Sequence, residues 1–257
     1  MKKYIIILLI HCLFSLEIYS DFASVIIDGN TYTKPFLGGF NKPKIQWVDW
    51  DNDGDEDLFL LDEDGKIKYF TNNGCSNNDC AFILNTTSFF DIKNISWFHI
   101  GDFDYDDDFD MVTQNPDNLE TMIYYENNQN NLVLLNILST NLDVPIQSDP
   151  VMTPTFADID FDGDLDFFTG NTVGTVTYYE NVGFINNVPL FEFVTNFWQE
   201  IYIVGSSQQR HGASVINFID IDQDNDLDIA WGDYFQQSLY IITNIGNINF
   251  PNMDIEN

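Results

Sequence analysis

Four nine-residue segments rich in aspartate recur along this chain, and they constrain its fold more than any other feature. Each segment has Asp at all five of its odd-numbered positions. The segments begin at Asp49, Asp102, Asp158 and Asp220, so their starts lie 53, 56 and 62 residues apart. A repeat of this length indicates similar units stacked side by side, because one small unit cannot bury its own apolar face.

Short apolar runs flank each acidic segment in a constant order. One run precedes the segment, a second follows it directly, and a third comes about ten residues later. A fourth run closes the first three units, whereas the fourth unit has no obvious outer strand. The runs are rich in aromatic and β-branched residues and are bounded by Gly, Asn and Asp, which is typical of strands and turns.

Four strands in each unit predict a β-propeller blade, and a β-sandwich would need no acidic loop at regular intervals. The expected fold class is therefore all-β, a propeller-type array of about four four-stranded blades. We expect these blades at about 38–90, 91–150, 151–210 and 211–257.

The acidic segments have the composition of metal-binding loops. Side chains at positions 1, 3, 5 and 9 can converge if the chain wraps in a tight arc, and Gly163 at position 6 of the third segment allows the positive φ that this arc needs. The carbonyl of Asp164 at position 7 then faces inward. Hard oxygen ligands suit Ca²⁺, whereas Zn²⁺ would favour His or Cys, which the segments lack. The candidate calcium ligands are Asp49, Asp51, Asp53, Asp55, Asp57, Asp102, Asp104, Asp106, Asp108, Asp110, Asp158, Asp160, Asp162, Asp164, Asp166, Asp220, Asp222, Asp224, Asp226 and Asp228.

The charge distribution supports the same interpretation. The chain has 41 acidic and 9 basic residues, a net charge of −32, and 22 of the acidic residues lie in the four segments. Two carboxylates about 5 Å apart repel by roughly 3 kcal/mol at an effective dielectric near 20, so such segments need a cation. A surface this acidic repels nucleic acid and anionic lipid. A hydrophobic content of 44% excludes a disordered acidic chain.

The segments differ from EF-hands and from one another. An EF-hand needs a bidentate Glu at position 12 and flanking helices, but position 12 is Leu60, Thr113, Thr169 or Trp231 here. Position 6 is Gly in segments one and three, and it is Asp and Asn in segments two and four. A left-handed conformation is less favourable without Gly, so we expect weaker sites in segments two and four.

The N-terminus has the composition of an export signal. Lys2 and Lys3 precede an apolar run over 4–16, which is short for a membrane span. We expect a signal peptide at 1–20, a propeller region at 21–257 and no membrane insertion of the mature chain. The protein would then be secreted, extracellular or at the cell surface, with the periplasm or a retained signal anchor as alternatives. In such a chain, Cys75 and Cys80 form either a local disulfide or two free thiols.

The third unit carries a resemblance to a known family. The stretches 155–170 and 174–183 resemble FG-GAP/VCBS repeats, which are related to the N-terminal propeller of integrin α-subunits. The resemblance covers roughly 34–249 and recurs four times. It implies a β-propeller with Ca²⁺ between the first and second strands of each blade, bound by side chains at positions 1, 3, 5 and 9 and by the carbonyl of position 7.

The chain departs from the family pattern in two ways. The Phe-Gly pair of the family is degenerate here, as in Phe156-Ala157. Integrin-like propellers usually have seven blades, so four repeats indicate a partial propeller or a fragment of a larger, for example seven-bladed, one. Alternatively, the stretch 24–27 supplies the missing outer strand of the fourth blade.

These features predict a non-catalytic, calcium-stabilised binding or adhesion module whose partner is an extracellular protein or a glycan. One alternative is a structural spacer within a larger secreted protein. Another is a propeller enzyme with a pocket near His211, which follows Arg210, the only arginine in the chain. His99 lies in an expected inner strand, where a structural role is favoured, and the chain lacks the common hydrolase and zinc-protease motifs.

Overall fold

The computed structural model describes residues 25–32, 39–76, 79–129, 131–203, 213–233 and 238–254. These residues form strands and turns, with two short 3₁₀ turns at Phe89–Asp91 and Trp198–Glu200. The prediction of an all-β fold is therefore confirmed. Within the described residues, no helix has the length and apolar character that crossing a membrane would require. The expected signal peptide lies outside these ranges.

The chain divides into two units, Met1–Asn41 and Lys42–Asn257. The first unit contains a hairpin of β1 (Val25–Ile27) and β2 (Asn30–Tyr32). The idea that residues 24–27 complete the fourth blade is therefore wrong. The reason is local, because Asp28 and Gly29 both adopt positive φ, as a two-residue hairpin turn requires, and they fold β1 onto β2.

The second unit is a β-propeller of four blades, and each blade is an antiparallel meander in chain order. The first blade consists of β3 (Lys44–Val48), β4 (Asp57–Leu61), β5 (Ile67–Ser76) and β6 (Asp79–Thr86). The second consists of β7 (Phe98–Gly101), β8 (Asp110–Gln114), β9 (Met122–Asn127) and β10 (Leu132–Ile137).

The third blade has an additional edge strand, and the fourth is smaller. The third consists of β12 (Thr155–Ala157), β13 (Asp166–Gly170), β14 (Val176–Ile185) and β15 (Val188–Thr195), with β11 (Ser139–Thr140) parallel to β15. The fourth consists of β16 (Ala213–Ile219), β17 (Asp228–Asp233) and β18 (Ser238–Ile242). Among the described residues, these three strands agree with the expected lack of an outer strand.

Three apolar clusters hold successive blades together. The cluster between blades one and two includes Phe59 and Met111, and the cluster between blades two and three includes Val112 and Phe167. The cluster between blades three and four is built around Trp231. Blades two and three therefore each pack one sheet face against the preceding blade and the other against the following blade, as expected of a propeller.

Residues of the first strands of all four blades, or just before those strands, line a common opening with a volume of about 390 Å³. On its wall, Nζ of Lys44 donates hydrogen bonds to the carbonyl of Ser96 and the hydroxyl of Thr153, at 2.6 and 2.8 Å. These bonds connect the first blade to the segments that lead into the next two. The four inner strands thus line one opening.

Candidate metal centres

Each acidic segment connects the first and second strands of its blade. The segment starts at or just after the end of the inner strand, and its ninth residue is the first residue of the next strand, as Asp57 is for β4 and Asp166 for β13. The loop is therefore anchored by a β-hairpin on both sides. This position is the one that the family resemblance implies.

The carboxylate at position 1 closes each loop by accepting backbone N–H groups. Oδ1 of Asp49 accepts from Asp53 at 3.0 Å, and Oδ2 accepts from Gly54 at 3.0 Å. Asp158 makes the two corresponding bonds in the third segment at 3.1 and 3.2 Å. In the fourth segment, Asp220 likewise accepts from positions 4, 5 and 6. The position 1 carboxylate thus holds the backbone of the loop in a tight arc.

Two positions in every loop adopt left-handed backbone geometry. At position 6, φ is +94° in Gly54, +101° in Gly163, +70° in Asp107 and +76° in Asn225. The positive φ that was predicted for this position is therefore present in all four segments. Position 4 is also left-handed throughout, with φ between +58° and +66°, although no glycine marks it in the sequence.

The loops bring carboxylates together in four clusters whose ligand atoms lie within 4.8 Å of one another. In segments one and three the clustered residues are positions 1, 3 and 5. In segments two and four they are positions 1, 3 and 9. The four clusters are Asp49, Asp51 and Asp53; Asp102, Asp104 and Asp110; Asp158, Asp160 and Asp162; and Asp220, Asp222 and Asp228. The remaining candidates lie outside these tightest sets: Asp55, Asp57, Asp106, Asp108, Asp164, Asp166, Asp224 and Asp226.

The carboxylate at position 9 is buried and connects the loop to the third strand of its blade. Asp57 and Asp110 are 0% exposed. Oδ1 of each accepts a backbone N–H at 2.8 Å, from Asn72 and Asn127 respectively. Asn181 and Asn244 make the same bond, also at 2.8 Å, in blades three and four.

A tyrosine hydroxyl supports the same carboxylate in the first three blades. The bond to Oδ2 comes from Tyr69 at 2.8 Å, from Tyr124 at 2.6 Å and from Tyr178 at 3.2 Å. The fourth blade has Ile241 at the equivalent position, and Oδ2 of its aspartate accepts the backbone N–H of Ile221 at 2.9 Å instead. The carboxylate at position 9 is thus fixed in every blade by hydrogen bonds from other parts of that blade.

Several carboxylate oxygens of the segments are buried but make no hydrogen bond within the described part of the chain. They belong to position 3 or position 7, and they are Oδ1 of Asp104, Asp108, Asp160, Asp164 and Asp226. An unpartnered buried carboxylate oxygen is unfavourable by itself, and a coordinated cation would compensate for it. The involvement of position 7 side chains differs from the sequence interpretation, which assigned only the carbonyl there.

The pKa values reflect this crowding. The pKa of Asp104 is raised to about 6 and that of Asp164 to about 7, first by burial and then by the neighbouring carboxylates. Burial also raises the pKa of Asp110 to about 7 and that of Asp166 to about 8. Without a cation, these carboxyl groups would be partly protonated near neutral pH.

Basic side chains do not neutralise the clusters in the described residues. The two ion pairs found there are Lys42–Glu63 and Lys68–Asp64, and neither contains a residue of an acidic segment. The loops therefore combine negative charge, converging oxygens and buried unpaired acceptors. Such clusters can hold a metal ion.

Sequence reasoning did not assign a supporting role to these tyrosines and asparagines. The tyrosine lies 12 or 14 residues after position 9, and the asparagine lies 15 to 17 residues after it. The asparagine recurs in all four repeats and the tyrosine in the first three, so their regular spacing was a usable signal. Their role was hidden because it depends on hydrogen bonds between strands.

The residues considered for a catalytic pocket are His99, Arg210 and His211. His99 is half-buried in β7 and packs edge-to-face on Phe156 at 5.3 Å, and burial lowers its pKa to about 4. Arg210 and His211 lie outside the described residues. No protein-family model and no curated protein sequence matches this chain.

Proposed function

We propose that this chain is an exported calcium-binding β-propeller of the FG-GAP/VCBS type that acts as a non-catalytic binding or adhesion scaffold. The observation that carries this proposal is the set of buried aspartate oxygens without hydrogen-bond partners, at positions 3 and 7 of the acidic segments. Burial of five such atoms in loops without basic residues is explained if each loop encloses a cation.

The donor set favours Ca²⁺ over other metals. Every candidate ligand is a carboxylate or carbonyl oxygen, and Ca²⁺ accepts six to eight oxygens in flexible geometry. Mg²⁺ demands a near-ideal octahedron and retains several waters, which these buried oxygens would displace. Zn²⁺ and copper favour imidazole or thiolate, and the segments contain neither.

The residues that would hold the ion also explain what the ion would do. Positions 1, 3, 5 and 7 belong to the loop, whereas position 9 belongs to the second strand and is bonded to the third. A bound ion would supply positive charge that lets these carboxylates remain ionised in a small volume. Calcium would therefore stabilise each blade at the hairpin between its inner strands.

A non-catalytic role is supported by the character of His99. A general acid or base works best with a pKa near the operating pH, whereas the pKa of His99 is about 4 and its ring packs on Phe156. This environment is typical of a structural histidine. The adhesion part of the proposal rests on the family resemblance.

Thermal unfolding with and without calcium tests the metal part. At calcium tenfold above the dissociation constant, each site should stabilise the fold by about 1–1.5 kcal/mol, so four sites should raise the Tm strongly. Asp160→Asn should remove part of this gain, because it removes a charge at position 3. Asp117→Asn makes the same change at an exposed turn and should leave the gain intact. A Tm that does not respond to calcium would refute the proposal.

Binding to immobilised glycans and extracellular matrix proteins tests the scaffold part. We expect binding in calcium that is lost when calcium is chelated, because the blades need the ion to keep their shape. Retained calcium stabilisation without any binding would favour a structural spacer over an adhesion module.

A further inference from the structure

The two end blades expose apolar positions that are buried everywhere else in the array. Third-strand residues of different blades are treated as equivalent when they pair with the same position of the second strand in their own blades. At one such position on the third strand, Ile67, Met122 and Val176 are at most 1% exposed, whereas Leu239 in blade four is 69% exposed.

A second position on the same face behaves in the same way. Tyr69, Tyr124 and Tyr178 are all buried there, whereas Ile241 is 48% exposed. In blades one to three this face packs against the following blade. The face of blade four that would meet a following blade thus remains apolar and open, and Val215 and Ile219 extend it.

The opposite face of blade one shows the complementary pattern. Trp47 is 45% exposed, whereas its equivalents Ile100 and Phe156 are buried against the preceding blade. Likewise, Ile45 is 55% exposed, whereas its equivalent Phe98 is buried.

Phe82 extends the exposed part of this blade one face, with its ring 5.6 Å from that of Trp47. Among the described residues, no buried cluster joins blade four to blade one.

We propose that two copies of this chain close into one eight-bladed ring, in which blade four of each copy packs against blade one of the other. A blade four face needs a partner with a blade one face, and a second copy presents both. The contact would continue the packing that already joins each blade to the next. Two copies leave no end unpaired, so growth stops at the dimer. Eight blades lie within the range of known propellers.

The charge of the chain is compatible with this contact. The exposed large apolar residues of the two faces are Ile45, Trp47 and Phe82 on one side and Val215, Ile219, Leu239 and Ile241 on the other. Ile45 and Val215 also line the central opening, and the exposed Asn217 on the blade four face is uncharged. The acidic segments lie at the hairpins between first and second strands. At about 0.15 M salt, repulsion between exposed charges is screened beyond roughly 8 Å.

Sedimentation equilibrium of the secreted chain in calcium tests the proposal. We expect a dimer, and we expect Trp47→Lys and Leu239→Lys each to lose it, because a lysine would be desolvated in the contact. Both side chains are exposed in one copy, so the variants should keep the circular dichroism spectrum and cooperative unfolding of the parent. Leu142→Lys changes a side chain that is 81% exposed and outside both faces, so it should remain dimeric.

Mixing the two lysine variants tests the pairing itself. The blade four face of the Trp47→Lys copy and the blade one face of the Leu239→Lys copy are both intact, so the mixture should form a heterodimer through one contact. A monomer at all concentrations, a polymer larger than a dimer, or a dimer that survives either variant would overturn the proposal. So would a dimer lost with Trp47→Lys but kept with Leu239→Lys, because it would pair two blade one faces.

Discussion

The hydroxyl of Tyr124 donates a 2.6 Å hydrogen bond to Oδ2 of Asp110, from β9 to the first residue of β8. Both side chains are 0% exposed. The bond joins the third strand of blade two to the residue that ends its acidic loop. Formation of the loop and formation of the sheet are thereby coupled.

Replacing this tyrosine should destabilise the blade. Tyr124→Phe removes a buried donor from a carboxylate, and we expect a loss of about 1–3 kcal/mol in the free energy of unfolding. Tyr178→Phe should cost less, because its bond to Asp166 is longer, at 3.2 Å. Urea unfolding of both variants in calcium measures the difference. If neither variant changes the free energy of unfolding, the two hydroxyl hydrogen bonds do not contribute to stability.

Backbone strain at position 6 should be measurable on its own. An added Cβ at Gly163 would meet no atom within 4 Å, so Gly163→Ala tests only the cost of φ +101°. We expect a loss of roughly 1–3 kcal/mol and weaker calcium binding. Gly163→Asn should lose less, since Asn tolerates left-handed geometry. If Ala and Asn are equally harmful, the conformation of the backbone is not the cause.

The four sites should differ in affinity. Segments two and four lack glycine at position 6, so we expect calorimetric titration to resolve a stronger pair and a weaker pair of sites. Asn225→Gly should strengthen the fourth site without changing charge, because φ is +76° there. By contrast, Asn225→Ala should make calcium binding at the fourth site weaker than in the parent protein. Four equivalent sites in the parent protein would contradict this ranking.

Without divalent ions, stability should fall as the pH rises. The folded-state pKa values of Asp110 and Asp166, about 7 and 8, are raised above the ordinary aspartate value near 3.8, so the folded protein binds more protons than the unfolded chain between about pH 4 and 8. The stabilisation from protonation is present at low pH and is lost as the pH passes through 7 and 8.

Calcium should reverse this trend, since it competes with protons for the same carboxylates. The gain in Tm on adding calcium should therefore be larger at about pH 8 than at about pH 5. Thermal unfolding of dialysed protein at both values, with and without calcium, checks the sign. An ion-free protein that becomes more stable towards pH 8 would show that these carboxyl groups do not have raised pKa values.

If the chain is exported, as we propose, Cys75 and Cys80 should form a disulfide. They are directly opposite each other in the hairpin of β5 and β6. Opposite residues of antiparallel strands have Cα atoms about 4.5–5.5 Å apart, which is within the range that a disulfide spans. Peptide mapping without reductant should find the two cysteines linked. Alkylation of both thiols in the secreted protein would contradict the prediction.

The acidic repeat determined much of the fold, because strand and turn preferences are local and recur at each unit. The segments from Asp49, Asp102, Asp158 and Asp220 predicted hairpin loops between successive strands, and these loops are present. In the part of the chain that the structure describes, the fourth blade has three strands, and the lack of an outer strand was expected from the sequence. The pairing of β1 with β2 was not recognised, although the Asp28-Gly29 turn indicated it.

Only the tertiary structure decided how each loop is supported and where the array remains open. The bonds from Tyr124 and Asn127 to Asp110 cross between strands, so they depend on pairing register rather than on local composition. The exposure of Leu239 likewise cannot be read from its residue type, because its equivalents in other blades are apolar and buried. Burial is set by which sheet faces meet, and that is a property of the assembled blades.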